Sequence, residues 1–112
     1  MYKVYGIPNC DTVKKVIQFL KNKLIDFEFI DYKKTPPTTK LLIHFKEQLL
    51  DWPVNKRGPT YRKIQSHFES ANLDQQVEML IKNSSALKRP IITNLNNDIV
   101  CVGFDLKNLE RL

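Results

Sequence analysis

One cysteine stands where a protein makes a thiol reactive. Cys10 follows the run Tyr2-Lys3-Val4-Tyr5-Gly6-Ile7-Pro8-Asn9 and opens the helical pattern Asp11-Thr12-Val13-Lys14-Lys15-Val16-Ile17. At such a strand-to-helix junction the first N–H groups of the helix have no partner in the chain and carry partial positive charge, which favours thiolate over thiol. Placement of this kind lowers a cysteine pKa from ~8.5 to roughly 3.5–7.5. Cys10 is therefore a candidate nucleophile. The competing reading is a small buried core residue, as free cysteine often is. Position alone does not separate the two.

The arginines point the same way. Of 18 Lys and Arg residues only four are Arg, and three of these lie in two short segments, Lys56-Arg57-Gly58-Pro59-Thr60-Tyr61-Arg62 and Lys88-Arg89-Pro90. A guanidinium offers carboxylates and oxyanions a planar fork that lysine cannot imitate. Arginine concentrated beside Gly and Pro in a lysine-rich chain hints at an anion site. Cys101, between Val100 and Val102, reads as core filler in a strand. His44 and His67 have no Cys or His partner at metal-ligand spacing, so no metal is expected.

The elements that must position Cys10 follow from apolar spacing. Residues 2–6 are rich in β-formers and predict a strand. Val13, Val16, Ile17 and Leu20 recur at helical spacing, so 11–23 predicts an amphipathic helix with its lysines in water. Phe27, Phe29 and Ile30 mark a second strand at about 26–31, joined to the first by a crossover of the kind that links parallel strands. After the turn Lys33–Pro37, Thr38 or Thr39 is a plausible N-cap for a helix carrying Leu41, Leu42, Phe45 and Leu49. Asp51–Pro59 predicts a loop in which Trp52 packs, followed by short helices around 60–69 and through Leu73, Val77, Leu80 and Ile81. Pro90–Thr93 and Ile99–Val102 predict strands, and the Asn97-Asp98 turn makes them antiparallel neighbours. A last helix is expected through Leu106, Leu109 and Leu112. Asp11 and Thr12 are expected to cap the first helix, with either side chain in reach of the Cys10 sulfur.

Composition bounds the rest. With 112 residues and 42% hydrophobic content the chain is expected to form one domain. No apolar run approaches the ~20 residues that span a bilayer, and the N-terminus lacks a signal pattern. Two cysteines are too few for a secreted disulfide scaffold, so a cytoplasmic protein with reduced thiols is expected. The net charge is +6, but the lysines are scattered and no nucleic-acid-binding signature occurs, so nucleic acid is not an expected partner.

The order β-α-β, helices, β-β-α is the thioredoxin arrangement with a helical insertion between its halves. The expected fold is thus α/β, with a four-stranded mixed sheet, 1–34 and 86–112 forming the core and 35–85 the insertion. In that arrangement a nucleophilic Cys begins the first helix and faces the residue before a proline at the third strand, here Arg89-Pro90, with a cis bond expected between them.

Four segments carry a more specific resemblance: Tyr5–Lys15, Lys56–Ile64, Lys88–Ile92 and Val102-Gly103-Phe104. In this order they resemble the arsenate reductase (ArsC)/Spx/YffB family, with the YffB branch the nearest. The resemblance implies Cys10 as catalytic thiol, with Arg57 and Arg89 as catalytic cations. Asn9, Asp11, Thr12, Arg57, Arg62, Arg89 and Pro90 are then the expected substrate-binding residues. Arsenate reductases of the family use three arginines; where the third would lie this chain has Gly103-Phe104, and Gly6 replaces a histidine that commonly precedes the cysteine by four positions. Losing one charge-assisted hydrogen bond weakens an oxyanion site by ~1.5–3 kcal/mol. Spx-type regulators usually carry Cys-x-x-Cys, whereas here the segment reads Cys10-Asp11-Thr12-Val13.

The expected function is a glutathione-dependent thiol oxidoreductase with a single nucleophilic cysteine. Glutathione is the expected co-substrate, with no bound cofactor, and a glutaredoxin a possible reductant partner. The alternatives are arsenate reductase proper and an Spx-like regulator that binds RNA polymerase. A monomer is expected.

Overall fold

The computed structural model describes all 112 residues. The chain divides into two units, Met1–Thr35 with Arg89–Leu112, and Pro36–Lys88.

The first unit is built on a sheet. It contains β1 (Tyr2–Gly6), α1 (Asp11–Asn22), β2 (Phe27–Asp31), β3 (Ile91–Thr93), β4 (Ile99–Val102) and the single-turn helix α5 (Leu106–Leu109). Strand order is β2-β1-β3-β4, with β1 parallel to β2 and antiparallel to β3, and β3 antiparallel to β4. This is the mixed four-stranded sheet expected from the order of elements. On α1 the apolar stripe Val13, Val16 and Leu20 is buried while Lys14, Lys15 and Lys21 are exposed. Val16 and Leu20 join Val4, Ile92, Cys101 and Leu109 in one core cluster, which fixes α1 against the sheet. Cys101 thus sits where the alternation of its strand put it, in the core.

Three boundaries differ from the spacing-based reading. β3 begins at Ile91, because Pro90 has no N–H to give to a ladder. α5 stops at Leu109, one turn after its Asp105 cap, and does not reach Leu112. The N-terminus of α1 is capped by neither Asp11 nor Thr12. Cys10 has the extended backbone of an N-cap (φ −139°, ψ 123°), and its carbonyl accepts the first helical hydrogen bond from the Lys14 N–H at 3.0 Å. Asp11 and Thr12 are already inside the helix.

The β3–β4 turn is organised by Asn94, whose Oδ1 accepts from the Asn96 and Asp98 N–H groups at 2.9 and 3.1 Å. Asn97 takes a left-handed backbone (φ 62°), and its Oδ1 accepts from the Tyr5 hydroxyl at 2.8 Å, tying the turn to β1.

The second unit is helical. It holds α2 (Thr39–Leu49), α3 (Pro59–Ser70), α4 (Leu73–Lys82) and a 3-10 turn, Ser84–Ala86. Thr38 Oγ1 caps α2 by accepting from Leu41 N–H, Pro59 opens α3, and Asn72 with Gln75 forms a reciprocal capping box on α4. Trp52 is buried, as expected of a packing residue. Its Nε1–H donates to Gln76 Oε1 at 3.1 Å and its ring meets Phe68 edge-on.

Gly6 sets how closely β1 approaches α1. A Cβ at this position would stand 2.9 Å from Val13 Cγ2, inside any tolerated contact. Val13 is fully buried, and a β-branched side chain on a helix has essentially one rotamer, so it cannot turn away. Gly6→Ala should therefore lower stability by ~1–3 kcal/mol, the usual range for overpacking. The check is a urea midpoint that falls with the slope unchanged; an unchanged or higher midpoint would show that α1 has room to shift.

Candidate active site

The environment of the Cys10 thiol begins with its place as N-cap of α1. The residue is partly exposed, as a nucleophile must be, while Cys101 is 2% exposed. The Cys10 side chain makes no hydrogen bond of ordinary capping geometry, yet the N–H groups at the start of α1 act on its sulfur. Burial opposes ionisation. The Val13 N–H, a hydrogen bond from the Arg89 side chain, the Thr12 N–H and the Arg89 charge together outweigh it, and the thiol is held below its ordinary pKa.

Cys101 behaves oppositely. Burial pushes its thiol up, and the Asp105 charge adds to that. Its sulfur lies 3.6 Å from the Gly103 carbonyl and 3.9 Å from the Asp105 carbonyl, acceptors for an S–H that stays on. The two cysteines are free, and their surroundings push their thiols in opposite directions.

Arg89 precedes Pro90 across a cis peptide bond. The Pro90 carbonyl accepts from the Gly103 N–H at 2.8 Å, so Gly103 flanks the proline directly. Gly103 has φ +68° and open space around the position a Cβ would take. The place where a third arginine was sought is therefore a left-handed turn with room beside it. An L side chain there would be strained by its backbone rather than by its neighbours.

Of the expected site residues, the structure brings Cys10, Thr12 (through its N–H) and Arg89 together, with Pro90 next to Arg89. Asn9 and Asp11 flank Cys10 and are exposed. Arg57, in the turn before α3, and Arg62, in the first turn of α3, are exposed residues of the second unit. One buried polar residue had no signal in the sequence. Tyr32 follows the last residue of β2, is 1% exposed, and stacks on Tyr5 with ring centroids 6.1 Å apart. Its position just before Lys33-Lys34 suggested only a turn, and no periodicity marks a lone aromatic there.

A family model described as the ArsC family matches residues 5–112. The chain belongs to the ArsC family. An uncharacterized protein of Haemophilus influenzae is 34% identical over 98% of this chain and 96% of its own length. The regulatory protein MgsR of Bacillus subtilis is 24% identical over 96% of this chain and 86% of its own. Among solved structures, the YFFB (PA3664) protein superimposes with a TM-score of 0.82 at 25% identity, covering 99% of this chain and 97% of that one. The resemblance to the ArsC/Spx/YffB family and the thioredoxin-like fold are thereby confirmed.

In this member of the ArsC family the cation beside the sulfur is Arg89, so its removal should be felt in the thiol. Arg89→Ala loses a hydrogen bond and a positive charge that both favour thiolate. The pH inflection of iodoacetamide alkylation at Cys10 should therefore move upward, with slower reaction at neutral pH and Cys101 still unreactive. An unmoved inflection would show that the helix N-terminus holds the charge alone.

Proposed function

We propose that this ArsC-family protein is a monothiol oxidoreductase that exchanges disulfides with glutathione. The observation that carries this reading is the pairing of a partly exposed Cys10, held below the ordinary thiol pKa by the start of α1 and Arg89, with a second cysteine sealed in the core.

The chemistry needs no cofactor. Cys10 thiolate attacks one sulfur of a disulfide; the Cys10–S bond forms, the old S–S bond breaks, and the leaving thiolate takes a proton from solvent. Cys101 lies in the core cluster and offers no resolving thiol. A second thiolate, from glutathione or a glutaredoxin, then attacks the glutathione sulfur, releasing Cys10 as thiolate and carrying the oxidation away as a disulfide. Arg89 supports both steps by stabilising the Cys10 thiolate that enters the first and leaves the second. Its guanidinium also suits a glutathione carboxylate, and the backbone before Pro90 suits an extended peptide.

Arsenate reduction is the related reading, since a solved structure of similar fold is described as a possible arsenate reductase. Gly103 speaks against efficiency there: no side-chain donor stands at that position, and its left-handed backbone disfavours one. Glutathione exchange does not need that donor.

Mass spectrometry after incubation with oxidised glutathione tests the proposal. One glutathione adduct on Cys10 and none on Cys101 is expected, with no adduct in Cys10→Ser. An unmodified Cys10, or a Cys10 that stays free while arsenate is turned over rapidly with glutathione and glutaredoxin, would contradict it.

A further inference from the structure

A molecule that reaches Cys10 meets the lysines around it first. The Lys14 N–H donates to the Cys10 carbonyl at 3.0 Å and closes the first turn of α1. At 1.5 Å of rise per residue, Lys14 lies about 6 Å along the axis from Cys10. Cα–Cβ bonds of a helix tilt toward its N-terminus, which leans Lys14 over the turn that begins at Cys10.

The charges at this end of the unit are unbalanced. Lys14 and Lys15 are exposed, and Asp11 is the one carboxylate of α1. Its spacing reaches both lysines, yet neither is in an ion pair. Two ammonium groups against one carboxylate leave a positive surplus. A second pair of lysines arrives from β2. The Tyr32 N–H donates to the Gly6 carbonyl at 2.8 Å, so the exposed Lys33 and Lys34 leave the sheet at the end of β1 from which the chain runs to Cys10. Asp31 is folded into its own turn, its Oδ1 accepting from the Lys33 N–H at 2.9 Å. Exposed charges of this kind contribute little to folding. They act on solutes within the screening distance, about 10 Å at 0.1 M salt.

We propose that Lys14 is a specificity-determining residue, favouring anionic disulfides such as oxidised glutathione over cationic ones at Cys10. That role rests on reading Cys10 as a nucleophile toward disulfides, and it adds the charge of the partner. The exchange itself is unaltered: the Cys10–S bond forms, the partner's S–S bond breaks, and its thiolate leaves. Lys14 touches neither sulfur; it raises the local concentration of the anionic reagent.

The test compares Lys14→Glu and Lys14→Gln with Lys21→Glu, the same charge change about 16 Å along the helix axis from Cys10. Glutamate is favourable near a helix start, so Lys14→Glu should fold, as circular dichroism would verify. Rates at Cys10 are followed by mass spectrometry at low ionic strength with two pairs of reagents: iodoacetate against iodoacetamide, and oxidised glutathione against cystamine. Each ratio compares two reagents on one thiolate, so any change in ionisation cancels. The iodoacetate-to-iodoacetamide ratio should fall about threefold in Lys14→Glu and by less in Lys14→Gln. The glutathione-to-cystamine ratio should fall further, because those reagents differ by more charge, and both effects should fade in ~1 M salt. Lys21→Glu should move each ratio less than half as far. Disulfide exchange at Cys10 with ratios that Lys14→Glu leaves in place, or that Lys21→Glu moves equally, would overturn the role of Lys14 alone. A wild-type Cys10 that is alkylated but exchanges with neither disulfide would overturn the reading beneath it, and the role with it.

Discussion

A thiolate needs positive charge close to its sulfur, and in this protein that charge comes from backbone N–H groups and one arginine. The Val13 and Thr12 N–H groups reach Cys10 because the residue is the N-cap of a twelve-residue helix, and Arg89 adds a full charge from the opposite side of the chain's connectivity. Both sources must act against burial, which opposes ionisation. The balance depends on placement to within a hydrogen-bond length. Everything else in the first unit serves that placement.

The placement is set by packing. Val16 and Leu20 lock α1 onto Val4 of β1 and Ile92 of β3, so the helix start and the segment entering β3 are held by one core. Gly6 lets β1 come close under Val13. Pairing of β1 with β3 brings residues more than eighty apart in sequence into register and sets Arg89 near Cys10. The core that positions one cysteine also removes the other from chemistry, since Cys101 is part of the same cluster.

Much of this was legible in the residues, and the limits are physical. The helix and strands of the first unit announce themselves by spacing, because burial of one face imposes a period on the sequence. Cys10 and Arg89 were legible because a thiol at a helix start and an Arg-Pro pair at a strand start are local patterns. The cap was misread: Asp and Thr are better capping residues than Cys in general, but the cap is whichever residue has the extended backbone, and that is decided by where the loop ends. The left-handed turn at Gly103 and the buried hydroxyl of Tyr32 had no local sign. Each depends on what the tertiary structure places around a residue. Arg57 and Arg62 were named from their clustering beside Gly and Pro and from the family resemblance, and their exposure in the second unit could not have been read from spacing.

The central claim is that Cys10 ionises at a lower pH than an ordinary thiol, because the start of α1 and Arg89 outweigh burial. The direct measurement is the far-ultraviolet absorbance of thiolate, titrated with pH and taken as the difference between wild type and Cys10→Ser. The account predicts a difference signal that rises at a lower pH than that of an ordinary thiol. A signal that emerges only at ~8.5 or above, the ordinary range of a free thiol, would contradict it.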